Sequence, residues 1–206
     1  TKFFLDPRNF LNEKYVFMFE NLGYNTIENE TVVDSNLSGS FMSGLSVLDN
    51  QSYSSIFVEA GKSSNVSPLY LSSLSIQEVG RNLSNLTNGA EFTYEGYSYI
   101  GAYNFFGIGA FDGTANLSGA EAAYKNGWTT VEATIEGSAK WIADKYIHSG
   151  YKQNTLYKMR WSYEYYKHQY ATDVNWANII SGVMYKLIDK YDTASNLTFE
   201  VPVHKN

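Results

Sequence analysis

The sequence predicts a mainly helical α+β domain of two lobes, with a small β excursion near residue 91. Helical periodicity recurs along most of the chain, whereas aromatic residues alternate with other residues only around positions 92–99. No linker is long enough to separate two independent cores. With 206 residues, 44% of them hydrophobic, and three prolines, the chain is long and apolar enough to bury a core.

The helical part begins near the N-terminus. Asp6-Pro7 has the pattern of an N-cap followed by the first helical residue, and apolar residues at helical spacing extend this predicted helix to Gly23. Between residues 29 and 61 the pattern indicates two or three short helices. The last of these covers Tyr53 to Ala60, with Gly61 as its C-cap.

The elements that follow have sharper boundaries. Ser67-Pro68 predicts the start of a helix that runs from Leu69 to Val79 and ends at Gly80. A hairpin is predicted next, because aromatic residues flank the turn pair Glu95-Gly96. Residues 103–118 are predicted to form a glycine-rich loop.

Helical periodicity returns three times in the last third of the chain. The predicted helices cover Thr130 to Ile147, the region around Leu156 to Trp161, and Trp176 to Ile188.

Composition excludes several classes of protein. The absence of cysteine rules out disulfide scaffolds, thiol nucleophiles, zinc fingers and iron–sulfur clusters. A formal charge of −6 argues against nucleic acid or an anionic membrane as a partner, and no apolar run approaches the ~20 residues of a membrane span. His148, His168 and His204 do not form a ligand set, so we predict no metal and no cofactor.

Glu78 is the most informative candidate for chemistry. Leu71, Leu74 and Glu78 fall at positions i, i+3 and i+7, which places a carboxylate on the apolar stripe of its helix. Desolvation there would raise the carboxyl pKa and give a general acid suited to glycosidic-bond cleavage. The alternative is a carboxylate near the helix end that reaches solvent or accepts a bond from a backbone amide.

The glycine-rich loop is the second candidate. Gly107 and Gly109 let backbone approach a ligand, and sugar rings stack on flat aromatic faces. The loop offers such faces, and an amide for an acetamido group, in Tyr103, Asn104, Phe105 and Phe106. The alternative is a tight connection whose aromatic side chains fill the core.

The segment from His168 to Asp173 is the third candidate. Tyr170, Thr172 and Asp173 are close enough in sequence to orient one another, and Asp173 precedes a helical run as a natural N-cap. In the functional interpretation the Tyr170 hydroxyl lies in the cleft. The alternative is a cap beside a surface tyrosine.

Five sequence blocks carry a family resemblance. In chain order they are Ser67–Tyr70 with Gln77–Gly80, Tyr103–Ala110, Asn126–Thr130, Thr155–Trp161, and His168–Asp173. Together they resemble the endo-β-N-acetylglucosaminidase domain of bacterial autolysins, glycoside hydrolase family 73, in its clostridial and bacillar branch. The resemblance covers roughly residues 60–190.

The resemblance implies a lysozyme-like two-lobed fold with a central substrate groove. It also implies hydrolysis of the β-1,4 bond between N-acetylglucosamine and N-acetylmuramic acid in peptidoglycan. The family's catalytic glutamate falls on Glu78, its active-site tyrosine on Tyr170 and its loop asparagine on Asn104. We expect residues 1–60 to form a helical N-terminal part of the same structural domain, and residues 61–206 its catalytic core.

A second catalytic carboxylate is less clearly indicated. Asp112 ranks first and Glu121 second, while Glu91 and Glu95 precede the Tyr103–Ala110 block. A route with Glu78 alone is also open, in which the acetamido oxygen of the substrate attacks C1 and Tyr170 steadies the developing charge.

The remaining expectations concern binding and location. The substrate-binding candidates are Tyr103, Asn104, Phe105, Phe106, Trp128, Thr172 and Asp173, whereas Phe10, Phe17 and Trp141 are predicted to be core residues. We expect a monomer that binds peptidoglycan glycan strands, is secreted to the wall of a Gram-positive bacterium, and has wall-binding modules elsewhere in a longer protein. The alternatives are a muramidase or lytic transglycosylase on the same fold, or a non-catalytic glycan-binding module.

Overall fold

The computed structural model describes residues 3–46, 50–162, 164–190 and 197–203. Within these ranges there are seven α-helices and one two-stranded antiparallel sheet. In chain order they are α1 (Glu30–Leu37), α2 (Tyr53–Ser64), α3 (Pro68–Val79), β1 (Phe92–Tyr94), β2 (Tyr97–Tyr99), α4 (Ala115–Lys125), α5 (Val131–Ile142), α6 (Leu156–Trp161) and α7 (Trp176–Tyr185). The predicted mainly helical α+β class is confirmed.

Helix α3 is the central element. It packs against α1, α2 and α7, and every residue from Pro68 to Ile76 is buried. The Ser67 hydroxyl accepts a hydrogen bond from the Tyr70 amide, and Gly80 ends the helix with a φ of 76°. Both boundaries agree with the prediction. Because only the last turn of α3 emerges from the core, this helix carries a rigidly held side chain to the protein surface.

One hydrophobic cluster holds the described chain together. It contains aromatic residues from the first twenty positions, such as Phe10 and Phe17, and residues as distant as Met184 on α7. The predicted boundary between residues 60 and 61 falls inside α2. Within the described ranges, no helix has the length and apolar character needed to cross a membrane.

Two of the predicted N-terminal helices differ from the structure. The predicted helix from Asp6 to Gly23 is wrong, because it is broken into the 3₁₀ turns Pro7–Phe10 and Val16–Phe19. Between them the Tyr15 amide is shared by the backbone and side-chain oxygens of Asn12, and Asn12 begins a new turn instead of continuing the first one.

The C-cap predicted at Gly61 is also wrong. Helix α2 continues to Ser64 and ends at Asn65 in the left-handed conformation. Gly61 lies inside the helix, and the position requires a glycine because a Cβ there would come within 2.6 Å of the Val66 carbonyl oxygen and 2.7 Å of the Pro68 ring. Close approach of two backbone segments therefore explains this glycine.

The hairpin and the later helices follow the prediction more closely. Strands β1 and β2 pair antiparallel around Glu95-Gly96, and both turn residues have positive φ. The predicted loop 103–118 extends too far, because α4 begins at Ala115. The start of α4 has no side-chain cap from which the sequence could predict it. Helix α5 continues into a π-helix, Ala143–Ile147, whereas α7 ends at Tyr185.

Candidate active site

A surface groove of about 510 Å³ lies beside the exposed end of α3. Four segments meet there: the last turn of α3, the loop 106–112, the junction of α5 with the π-helix, and the segment 170–176. Each segment contributes at least one aromatic or acidic side chain. These side chains include Glu78, Phe111, Asp112, Trp141, Tyr146, Tyr170 and Trp176.

Glu78 lies on the groove wall with its carboxylate open to solvent. Trp176 Nε1 donates a hydrogen bond to Glu78 Oε1 at 3.4 Å, and a Cβ at Gly107 would lie 3.2 Å from Oε2. Burial in the concave surface raises the pKa of the Glu78 carboxyl, and the Trp176 hydrogen bond opposes that rise. The helix therefore delivers the predicted carboxylate to a groove rather than into the core.

Two tyrosines, Tyr146 and Tyr170, line the groove with Glu78, and a third, Tyr70, is fully buried on the same helix as Glu78. The Tyr170 hydroxyl donates to the Phe106 carbonyl oxygen at 3.4 Å, and its ring stacks on Trp176 with centroids 5.2 Å apart. Burial raises the pKa of Tyr70, Tyr146 and Tyr170, and the Glu78 carboxylate adds to the rise at Tyr70 and Tyr170. These phenols therefore keep their protons near neutral pH, and the Tyr170 hydroxyl can act as a hydrogen-bond donor in the groove.

Asp112 faces the same groove as Glu78 and is exposed. The other candidates for a second carboxylate lie elsewhere: Glu121 pairs with Lys125 on α4, and Glu91 and Glu95 are exposed at the hairpin. Of these four acids, Asp112 is the one that shares the groove with Glu78.

The side chains of the glycine-rich loop do not present flat faces to a ligand, contrary to the functional interpretation. Tyr103 and Phe105 are buried in the core cluster, which is the alternative that the sequence left open. Asn104 is fully buried, and its amide nitrogen donates to the carbonyl oxygens of Ile108 and Gly119 at 2.8 and 3.0 Å. Phe106 borders the groove but is only 1% exposed, so its carbonyl oxygen rather than its ring face is engaged there.

Trp128, a further predicted binding residue, has different surroundings. Trp128 lines a separate cavity of about 500 Å³ beside α5, where a Cβ at Gly137 would collide with its indole. The structure therefore does not bring Trp128 into the groove that contains Glu78.

Thr172 and Asp173 do line that groove and are exposed. The predicted role of Asp173 as the N-cap is wrong, because Asn175 occupies the N-cap of α7. The Asp173 carboxylate instead accepts a bond from the Asn175 amide at 2.9 Å and closes the turn before the helix.

Several residues that line the groove were not predicted from the sequence as site residues. Trp141, predicted to be a core residue, packs against the core but is partly exposed and also lines the groove, which the sequence did not indicate. Tyr146 lies on the π-helix, a rare element that is often found at functional sites. Trp176 lies three residues after the His168–Asp173 block, at the start of a predicted helix, and this position is the one sequence signal for it. Phe111 has no signal beyond its place next to Asp112.

Among the residues that the structure describes, there is no group of three or more His, Cys, Asp or Glu side chains that could hold a metal ion.

A carboxylic acid with a raised pKa, set in a groove with aromatic walls, is an arrangement typical of glycoside hydrolases. Sequence comparison specifies the family. Residues 54–189 match the Glucosaminidase family, described as mannosyl-glycoprotein endo-beta-N-acetylglucosaminidase. The chain belongs to this family.

Curated relatives agree with this assignment. The chain is 39% identical over 204 residues to a beta-N-acetylglucosaminidase of Bacillus subtilis, which covers 98% of this chain and 22% of that protein. It is 41% identical over 138 residues to a bifunctional autolysin of Staphylococcus epidermidis, covering 64% of this chain and 10% of the relative. The chain therefore spans about a fifth or less of the length of these relatives.

Solved structures show the same fold. Glucosaminidase B of S. aureus matches with a TM-score of 0.67 at 31% identity, covering 92% of this chain and 71% of that one. A catalytic mutant of S. aureus autolysin E, in which alanine replaces a glutamate, was solved with the disaccharide NAG-NAM. It matches with a TM-score of 0.66 at 29% identity, covering 91% of this chain and 79% of that one.

Proposed function

We propose that this chain hydrolyses the β-1,4 bond between N-acetylglucosamine and N-acetylmuramic acid in peptidoglycan, with Glu78 as the general acid. The observation that carries the proposal is the position of Glu78, held at the end of a buried helix and open to the groove. Membership in the glucosaminidase family and the NAG-NAM complex of a structural relative support the choice of substrate.

The acid step follows from the pKa of Glu78. Cleavage requires a proton on the leaving glycosidic oxygen while positive charge develops at C1 of the sugar. Because burial raises the carboxyl pKa, Glu78 holds its proton at a higher pH than an ordinary glutamic acid does. Its Oε1 is oriented by Trp176, which leaves Oε2 next to Gly107, where a glycine makes room for the carboxylate.

We assign the second catalytic role to Asp112, because it lines the groove with Glu78, whereas the Asp173 carboxylate is engaged by the Asn175 amide. Asp112 would either activate water or attack C1 directly. The alternative is attack by the substrate's own acetamido oxygen, with the protonated Tyr170 hydroxyl steadying the developing charge. Asp112→Asn separates these routes: a large loss of kcat supports Asp112, whereas near wild-type turnover supports substrate assistance.

Product analysis tests the function itself. Purified cell walls are digested with the wild-type chain, and the released muropeptides are reduced and analysed by mass spectrometry. Reduced N-acetylglucosamine ends support the proposal. Reduced N-acetylmuramic acid ends indicate a muramidase, anhydromuramic ends indicate a lytic transglycosylase, and binding without release indicates a glycan-binding module. Glu78→Gln is the control for contaminating activity.

The location of the protein is part of the proposal. We infer that it acts as a monomer, secreted to the wall of a Gram-positive bacterium, and that wall-binding modules lie elsewhere in a longer protein. A net charge of −6 gives this domain no long-range attraction to anionic wall polymers, and the relatives are several times longer. Sedimentation of purified walls with this chain and with the longer protein would compare their affinities, and equal binding would count against separate modules.

A further inference from the structure

Arg160 on α6 holds the segment that carries Tyr170. Its Nε donates to the Asp173 carbonyl oxygen at 2.9 Å, and its Nη2 donates to the Thr172 carbonyl oxygen at 2.8 Å. Its Nη1 donates to Gln169 Oε1 at 3.1 Å. One guanidinium therefore binds this segment on both sides of Tyr170.

The residues next to Arg160 strengthen the same attachment. The Tyr170 amide donates to the Met159 carbonyl oxygen at 3.0 Å, and the Arg160 guanidinium carbon lies 3.9 Å from the centre of the Trp161 ring. At the end of α6, Met159 and Arg160 therefore bind the segment 169–173, and Trp161 packs against the Arg160 guanidinium. Arg160 itself is only 6% exposed.

Burying the Arg160 guanidinium to bind this segment carries a high desolvation free energy. Its three hydrogen-bond acceptors are two backbone carbonyl oxygens and a side-chain amide oxygen, and burial lowers the pKa of Arg160 although the Asp173 charge partly opposes that. The rigid fork of an arginine, however, can hold several acceptors in one plane, which a flexible amine cannot do. The geometry gained is therefore precise placement of residues 169–173.

We propose that Arg160 is a positioning residue that places the Tyr170 hydroxyl beside Glu78. This inference rests on the proposed hydrolase function. Arg160 does not line the Glu78 groove, so its influence passes through the loop. The Tyr170 ring stacks on Trp176, which donates to Glu78, so this segment lies next to the residue that orients the acid.

The test uses Arg160→Lys, which keeps the charge but loses the fork. We expect kcat on purified walls to fall roughly 10- to 100-fold, the size of effect seen when a reacting group is misplaced by about 1 Å, with KM changed less than about threefold. Arg8→Lys is the matched control, because Arg8 is exposed, pairs with Asp6 and does not line the groove. Its kcat should equal that of the wild type.

A double-mutant cycle with Tyr170→Phe separates positioning from general structural support. If Arg160 acts through the Tyr170 hydroxyl, Arg160→Lys should lower kcat at most about threefold in the Tyr170→Phe background. Independent losses that multiply would overturn the inference and leave the proposed function intact. A wild-type chain that releases no muropeptides would overturn both.

A second, milder variant guards against loss of the fold. Gln169→Ala removes one of the three acceptors at an exposed position. We expect a smaller kcat loss that also disappears in the Tyr170→Phe background. If Arg160→Lys does not fold, this variant decides: a loss that persists in the Tyr170→Phe background contradicts the inference.

Discussion

Helix α3 has a buried carboxylate near one end and an accessible one at the other. At its N-terminus, Glu28 Oε2 accepts bonds from the Ser67 hydroxyl at 2.6 Å and the Leu69 amide at 3.0 Å. At its C-terminal end, Glu78 Oε1 accepts a bond from Trp176 Nε1, and the side chain faces the groove. Glu28 is 2% exposed, whereas Glu78 is open to solvent.

The two regions share one electrostatic cause but differ in what they can do. Burial raises the pKa of Glu28 to about 7 and also raises that of Glu78. Glu20 is only 3% exposed. Its pKa is raised well above the usual range by burial and, to a smaller extent, by the charge of the Glu28 carboxylate. A shifted carboxyl pKa is therefore not enough to identify a catalytic acid, because of these three only Glu78 can reach a substrate.

The largest effect expected is the loss of catalysis in Glu78→Gln. Removing the titratable proton should lower kcat by roughly 10³-fold or more, at the upper end of what general acid catalysis contributes. The free energy of unfolding, measured by urea denaturation, should stay within about 0.5 kcal/mol of wild type because the side chain is accessible. Glu28→Gln is the matched comparison at the buried end, and it should keep near wild-type kcat. Equal kcat losses in both variants would remove the distinction.

Glu28 should instead control the pH dependence of stability. The folded state keeps the Glu28 proton up to pH about 7, whereas the unfolded chain releases it near pH 4.5. The contribution of Glu28 to stability is therefore complete below pH 4.5 and lost as the pH rises through 7, a change of about 3 kcal/mol. Urea unfolding at about pH 4.5 and about pH 8 should show a smaller fall for Glu28→Gln than for wild type.

The exposed Glu59 on α2 supplies the control for that experiment. Glu59→Gln should show the same fall in unfolding free energy between the two pH values as the wild type. An unchanged fall in Glu28→Gln would mean that other buried groups, Glu20 foremost, carry the effect.

A smaller effect is expected at the groove rim. Phe111 lines the groove and is 68% exposed, and such an aromatic face can stack on a sugar. Phe111→Ala should raise KM for glycan strands by about 3- to 10-fold, the equivalent of roughly 1 kcal/mol, with kcat little changed.

Tyr97 gives a matched control because it is also 68% exposed but lies on the hairpin. Tyr97→Ala should leave KM unchanged. If both substitutions raise KM equally, nonspecific adhesion of exposed rings explains the effect better than a stacking position in the groove.

The smallest effect expected is a displacement of the pH–rate profile. Glu78 must be protonated to act, so kcat should fall as the pH rises through the pKa of Glu78. Trp176→Phe removes the hydrogen bond that lowers this pKa, and the falling limb should move to higher pH. Trp128→Phe, in the separate cavity, should leave the limb in place. A limb that moves to lower pH in Trp176→Phe would contradict the assignment of Glu78 as the acid.

Local signals explain where the sequence predicted the fold correctly. Ser67-Pro68 and Gly80 bound α3 because capping and left-handed glycine are properties of a few neighbouring residues. The same local reasoning missed the break after Phe10, where the Asn12 side chain competes for a backbone amide, and the closeness of Val66 to Gly61. Those outcomes depend on competing or distant contacts, which helical periodicity does not record.

The sequence by itself determined the bounds of α3, the place of Glu78 on it, and the motif order that points to a glucosaminidase. Only the tertiary structure decided which side chains share the groove: it placed Asp112, Trp141 and Trp176 with Glu78, and buried Asn104. The reason is physical. A helix face is set by residues three and four positions apart, whereas a groove is formed by segments distant in sequence that meet only when the common core packs.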